Sequence, residues 1–334
     1  RKETQVLPKD VRYVGADDLA LPLFENQYPV QPMGVSYNSY LILDEKVAVM
    51  DSVDARAADE WLAKLAHELD GRSPDYLVIS HMEPDHSGSI LRLAEKYQEM
   101  KLVGNTKTFT MLRQFFGASA PANERLVEVG EGGTISLGTH TLHFMLAPMV
   151  HWPEVMVAYE ETEKLLFSAD AFGRFGSLGR TANAPWAPQA RRYYYNIVGK
   201  YGAQVQALLK KASALEIKTV CPLHGPVLTG EALGEALRLY DLWSRWQSES
   251  PDDILLAHAS IHGNTARAAE LFKQKLEAKG ARVTLCDLTT TEVSYAVANA
   301  FYCGKLVLAC STYDGGLFPP MEEFLSHLQA KGFR

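Results

Sequence analysis

Apolar runs cut by a charged turn dominate the early chain. In "SYLILDEKVAVMDS" (39–52) they predict a hairpin with Asp44 to Lys46 at its turn. "ARAADEWLAKLAHEL" (55–69) has helical periodicity. "DYLVIS" (75–80) predicts a short buried strand, and "GSILRLAEKY" (88–97) resumes as helix. From 125 to 169 the rhythm changes. "RLVEVG", "THTLHFMLAP", "EVMVAYE" and "KLLFSAD" follow one another with glycine-rich turns, as in an antiparallel sheet. A long helix is predicted over 190–213, a strand at "IKTVCP" (217–222) and a further helix over 231–247.

"WQSESPDD" (246–253) is polar, carries Pro251 and reads as a linker. Beyond it strands and helices alternate. Strands "ILLAHAS", "RVTLCD" and "LVLACS" are separated by helices at about 265–279 and 291–301, with a last helix at 320–331. That alternation predicts a parallel, doubly wound sheet. The expected division is 1–249 and 250–334. The sequence shows neither an internal repeat nor a low-complexity segment.

Composition changes this picture little. A length of 334 residues suggests two domains, and 47% hydrophobic with 22% charged residues is ordinary globular usage. A net charge of −7 argues against a nucleic-acid partner or an anionic membrane surface. No apolar stretch reaches the length of a membrane span. The first residues, "RKETQVLPKD", contain no apolar signal region and no initiator Met, so the natural start is expected upstream. The four cysteines lack C-x-x-C spacing, which argues against a disulfide framework or thiolate zinc site and for a reducing cytoplasm.

Candidate chemistry concentrates in "SHMEPDHSGS" (80–89), which packs His81, Glu83, Asp85 and His86 after a buried strand. Imidazole and carboxylate both ligate first-row metals, and Pro84 stiffens the turn that would aim them. Alone, the cluster reads equally well as a mixed-charge surface loop. Three later stations change that reading. His151, Asp170 and His224 each follow an apolar run, where loops gather at one sheet edge.

The ordered set His81-x-Glu83-x-Asp85-His86, His151, Asp170, His224 resembles the metallo-β-lactamase superfamily. The resemblance implies an αββα sandwich with a dinuclear site at its edge. The usual motif is H-x-H-x-D-H; here Glu83 stands at the second His. Three carboxylates in the set favour a harder, redox-active ion, which argues for iron over zinc hydrolysis.

In the second part, "HASIHGNTARAAELF" leaves a predicted strand and opens a helix. Ser260, Ile261, His262, Gly263, Asn264 and Thr265 would place hydroxyls and backbone N–H groups at that helix N-terminus, a phosphate site. They resemble the flavodoxin S/T-x-x-G-N-T loop. Ser311, Thr312, Tyr313, Asp314, Gly315 and Gly316 resemble the second flavodoxin loop, which lies against the flavin ring. The chain is thus similar to the flavodiiron proteins. It resembles them over the whole first part and over the beginning of a flavodoxin-like second part whose remaining strands would follow residue 334.

That resemblance implies the following. His81, Glu83 and His151 would hold one iron; Asp85, His86 and His224 would hold the other, with Asp170 bridging. His86 has an alternative role as a hydrogen-bonding residue behind the ligands. FMN would relay electrons from rubredoxin or a similar donor, and the reaction would be reduction of O2 to water, of NO to N2O, or both. A head-to-tail homodimer or tetramer would bring one subunit's flavin to the other's irons. Tyr28, Trp152 and Tyr194 are read either as pocket lining or as packing aromatics. Two rival readings are a metal-dependent hydrolase of the same fold and a non-catalytic flavodoxin-like electron carrier.

Overall fold

A computed structural model of the chain describes residues 6–333. The described residues form two compact units. One runs through Ala190 and includes Ala207–Leu237; the other contains Arg191–Gln206 and the residues from Arg238 onward.

In the first unit two six-stranded sheets enclose one core. The first sheet runs, in spatial order, Val11–Tyr13, Tyr40–Ile42, Ala48–Met50, Tyr76–Val78, Lys101–Gly104 and Leu126–Glu128. The second runs Thr134–Ser136, Thr141–Leu146, Met156–Glu160, Leu165–Phe167, Thr219–Cys221 and Leu228–Thr229. The predicted hairpin is present, with Tyr40 opposite Met50 and Ile42 opposite Ala48. Those four side chains join Phe144, Met156 and Phe167 in the shared core. The alternate residues Leu41 and Val49 are buried too, which is why these strands read as nearly continuous apolar runs. Burying a phenylalanine such as Phe144 stabilises the fold by roughly 1.5–3 kcal/mol.

The helix Ala58–Leu69 buries Trp61, Leu65 and Leu69 on one face. Its Trp61 Nε1–H donates to Ser39 Oγ at 2.9 Å. The helix Thr106–Phe116 starts at Asn105, whose side chain accepts from the N–H groups of Lys107 and Thr108. This helix also explains a departure from expectation. "RLVEVG" was expected to open the antiparallel run. Instead, Leu126–Glu128 pairs parallel with Lys101–Gly104 in the first sheet, because a helix-bearing crossover separates the two.

In the second unit Ser250–Ala259 is the central strand, parallel to Val283–Asp287 on one side and Cys303–Cys310 on the other. Counting these strands along the chain, the spatial order is 2-1-3, that of a flavodoxin-like sheet. Helices Asn264–Glu277, Val293–Tyr302 and Pro319–Ala330 follow its strands. The long helix expected at 190–213 is interrupted. Trp186–Tyr193 gives way to a wide turn at Tyr194–Val198 and a tight one at Gly199–Tyr201 before Gly202–Ala212. A Cβ at Gly202 would collide with the Ser244 carbonyl.

The segment 191–206 is bound into this unit by specific contacts. Buried Arg192 donates to Ser294 Oγ at 2.7 Å and lies 3.9 Å over the Tyr295 ring. Tyr195 stacks on Phe301 with centroids 4.0 Å apart. Glu249, inside the polar stretch read as a linker, accepts from Arg191 Nη2 and Trp243 Nε1 at 2.8 and 2.7 Å. Ser250 then begins the central strand directly. Among the described residues no helix is long and apolar enough to cross a membrane.

Candidate metal centre

Strand ends of both sheets deliver the ligand-type side chains to one edge of the first unit. His81 and Glu83 follow Tyr76–Val78, and Asp85 and His86 ride the short helix Pro84–Ser87. Pro84 occupies the first helical position, where its fixed φ suits the turn and its missing N–H is no loss. His151 lies between Thr141–Leu146 and Met156–Glu160, Asp170 follows Leu165–Phe167, and His224 follows Thr219–Cys221. Gly225 next turns at φ +79°, packed against Arg174 so closely that a Cβ would lie 2.7 Å from its Cγ.

The side chains fall into two groups of donor atoms: His81, Glu83, His151 and Asp170 in one, and Asp85, His86 and His224 in the other. In the first group Glu83 Oε2 lies 3.2 Å from His81 Nε2 and 3.0 Å from His151 Nε2. In the second, Asp85 Oδ2 lies 3.3 Å from His86 Nε2 and 3.2 Å from His224 Nε2. Asp170 belongs to both. Its Oδ2 is 3.2 Å from His81 and 3.1 Å from His151, while its Oδ1 is 3.2 Å from His86 and 3.5 Å from His224. A carboxylate with one oxygen turned to each group has the geometry of a bridge.

The donor set fits a pair of metal ions on an observation independent of spacing. Both carboxylate oxygens of Asp85, both of Asp170 and Nε2 of His151 are buried and make no hydrogen bond. Buried polar atoms normally find partners, so their convergence without mutual bonding marks a place for a cation. Donors about 2.1 Å from a common ion, at right angles, would stand about 3 Å apart, as these do. The ring protons also fit. His81 Nδ1–H donates to Glu154 Oε1 at 2.6 Å and His224 Nδ1–H to the Ser36 carbonyl at 2.6 Å, leaving each Nε2 lone pair toward the centre.

Electrostatics in the metal-free chain point the same way. Burial pulls the His151 ring down, but Asp170 and Glu83 beside it prevail and lift it to about 9. His81 and His86 are also raised against burial, by Asp170 with Glu154 and by Asp85 with Asp170 respectively. Burial alone would raise Glu83 and Asp170; the neighbouring histidines hold both below the usual carboxylate range. Protons on the rings thus neutralise the carboxylates where metal charge would otherwise do so, and metal uptake must release them.

Several residues at the site carried no sequence signal. Glu154 is buried behind His81, and its Oε1 also accepts from the Met82 N–H at 2.8 Å. Asp51 Oδ1 accepts from the Ser80 N–H at 2.7 Å and anchors the start of the motif; burial pushes its carboxyl up to about 6. Phe24 sits edge-on to His224 with centroids 5.3 Å apart. The carboxyl of Glu25, the next residue, is pushed up to about 8 by lost hydration and by the charge of Glu83. Nothing in a single sequence separates these from other buried or surface residues. Of the aromatics considered, Trp152 lies edge-on to His81 at 5.2 Å, Tyr28 packs on Phe175 at 5.9 Å, and Tyr194 packs on Tyr195, Tyr240 and Trp243.

In the second unit the two candidate flavin loops meet at the C-terminal ends of the adjacent first and third strands. Ser260 Oγ accepts from the Gly263 N–H at 3.0 Å, and Gly263 enters the helix at φ +87°. Thr265 and Ser311 join the loops through their hydroxyls at 3.1 Å. Thr312–Tyr313 pairs with Gly316–Leu317 across a turn at Asp314 and Gly315, both at positive φ. Ile261, His262, Asn264 and Tyr313 are exposed around a helix N-terminus that favours anions.

The comparisons with known proteins agree with this geometry. The model of the "ODP family beta lactamase" matches residues 35–225. A rubredoxin-oxygen oxidoreductase of Megalodesulfovibrio gigas is 28% identical over 321 residues, 92% of this chain and 77% of that protein. An anaerobic nitric oxide reductase flavorubredoxin of Vibrio vulnificus is 28% identical over 338 residues, 97% of this chain and 67% of that protein. The crystal structure of the flavodiiron protein from Giardia intestinalis superposes with a TM-score of 0.90 at 27% identity, covering 97% of this chain and 79% of that one. The family match spans more than half of the sequence and includes all the candidate ligands, and the chain belongs to the ODP family of β-lactamase folds as a flavodiiron protein.

Proposed function

We propose that this protein is an oxidoreductase that reduces O2 to water, NO to N2O, or both, at a non-haem diiron centre supplied with electrons through FMN. The observation that carries the reading is Asp170, which turns one buried, unbonded oxygen to each of two donor groups. His81, Glu83 and His151 would hold one iron and Asp85, His86 and His224 the other, with Asp170 between them. Residues Ser260 to Thr265 would hold the flavin phosphate and Ser311 to Gly316 would lie against its ring. On this reading 1–249 form the diiron part and 250–334 the flavin part. A rubredoxin-type donor, a cytoplasmic setting and a head-to-tail homodimer or tetramer complete it.

Bound together, the iron pair and the flavin supply four electrons, matching the demand of O2-to-water conversion, whereas joining two NO to N2O takes two. The chain's own residues do the rest. Glu154 and the Ser36 carbonyl hold His81 and His224 with their protons on Nδ1, so that each Nε2 faces inward. Trp152 and Phe24 pack edge-on against the rings of His81 and His224 and keep water from those sides. Pro84 and the Ser87 Oγ–H bond to the Met82 carbonyl, 2.7 Å long, hold the Glu83–His86 turn in one conformation.

The test is elemental analysis of protein purified without oxygen, followed by NO and O2 consumption with a reduced rubredoxin. About two irons per chain and turnover of either gas support the reading. Two zincs per chain, from cells well supplied with iron, and no gas consumption would overturn it.

A further inference from the structure

The residues behind the two donor groups differ sharply. Behind His81 stands a carboxylate: Glu154 is buried, accepts the His81 Nδ1–H at 2.6 Å and accepts the Met82 N–H with the same oxygen. Its other oxygen is buried without a partner, so the carboxylate acts on His81 and on the Met82 N–H. Its backbone is held too, because Asn105 Nδ2–H donates to the Glu154 carbonyl at 2.6 Å. Behind His224 stands a neutral acceptor, the Ser36 carbonyl. Behind His86 there is less: its Nδ1 is buried and has no hydrogen-bond partner.

We infer that Glu154 is a positioning residue that makes the two metal subsites unequal, the His81 subsite binding its ion tightly and the Asp85–His86–His224 subsite being the labile one. This rests on the two-metal reading above. A charged acceptor on the far side of an imidazole fixes the ring and raises the basicity of its ligating nitrogen. The effect is stronger in a buried setting, where the field is poorly screened. A carbonyl does this less, and a ring whose far nitrogen has no acceptor gains neither effect. Metal loss would therefore begin at the Asp85–His86–His224 subsite.

Cobalt(II) added anaerobically to metal-free protein tests this, because each subsite can be isolated. Asp85→Ala leaves only the His81 subsite intact, and Glu83→Ala leaves only the other. The first variant should bind one cobalt at least about 10-fold more tightly than the second. Adding Glu154→Gln, nearly the same shape without the charge, should weaken binding about 10- to 100-fold in the Asp85→Ala background and less than about twofold in the Glu83→Ala background. Equal weakening in both, or none in either, overturns the inference. A purely structural role would lower both subsites and the thermal midpoint together.

A second measurement needs no Glu154 variant. The absorption spectrum of wild-type protein with one equivalent of cobalt should match that of Asp85→Ala; a match to Glu83→Ala overturns the inference. Failure of the diiron reading is seen separately, in the iron content and gas consumption of purified protein. The cobalt result stands by itself even if the resident ion is zinc.

Discussion

The second sheet carries a buried histidine among carboxylates at each end, and the two sites differ in what their oxygens do. At one end His140 lies 3.1 Å from Glu160 Oε1 and 3.3 Å from Asp10 Oδ2. Glu160 is otherwise satisfied, accepting from the N–H groups of Thr162 and Glu163 at 2.8 and 2.7 Å. At the other end Asp85 and Asp170 make no hydrogen bond at all. The first is a closed staple between the strand ends and the residues before Val11–Tyr13. The second is a set of converging lone pairs. Residue type is alike, and His140 and Glu160 are as buried as Asp170, though Asp10 is half exposed; the unbonded oxygens tell ligation from bracing.

The sharpest way to break this comparison is Asp170→Asn, which keeps the shape and removes the bridging charge. Metal content should fall below two per chain and gas turnover by more than about 100-fold, since even residues behind metal ligands cost 10- to 100-fold. Retention of both ions with near-normal turnover would reduce Asp170 to the status of Glu160. Glu83→His should come next. Restoring the His-rich motif should lower the iron-to-zinc ratio of the purified protein, because imidazole is a softer donor than carboxylate. Unchanged iron content would refute the tuning argument.

Removing metal should have a smaller, thermal effect. Each ion held at 100 times its dissociation constant stabilises by about 2.7 kcal/mol, so loss of one ion should lower the melting midpoint by roughly 5–10 °C and loss of both by about twice that. In the stripped chain a pH dependence should then appear. The His151 ring is raised from 6.5 to about 9 on folding, so its contribution is complete below pH 6.5 and is lost as pH rises through 9. Calorimetry of metal-free protein from pH 6 to 10 should show falling stability, and a flat profile would contradict the charge arrangement.

The smallest effect belongs to the staple. His140→Gln should cost about 1–2 kcal/mol and leave metal content untouched. Burial lowers the His140 ring, but Glu160 and Asp10 outweigh it and the ring is raised on folding. Its stabilisation is therefore present below pH 6.5 and fades as pH rises through the raised value, a slope the variant should lose. Loss of metal in His140→Gln would show that the two ends are coupled and the contrast false.

Much of this was legible beforehand because it is local. The 39–52 hairpin, the helix at 55–69 and the three parallel strands after 250 follow from short-range periodicity. The strand "RLVEVG" joins the first sheet rather than the antiparallel run because pairing partner is not a local property: the same apolar run suits either sheet, and the crossover through Thr106–Phe116 decides it. The helix over 190–213 was read as continuous because periodicity does not register the wide turn at Tyr194–Val198, which packing of Tyr194 and Tyr195 among Tyr240, Trp243 and Phe301 accompanies.

The sequence alone determined which side chains stand ready for the chemistry. His81, Glu83, Asp85, His86, His151, Asp170 and His224 sit at the ends of apolar runs, and strand ends gather at a sheet edge whatever the exact packing. Only the tertiary structure decided how they are shared. It turned the two oxygens of Asp170 to different neighbours and placed Glu154 behind His81 and a plain carbonyl behind His224. Those choices depend on distances between residues up to 188 positions apart in the chain, and no pattern along the chain encodes an angle between two strands in different sheets.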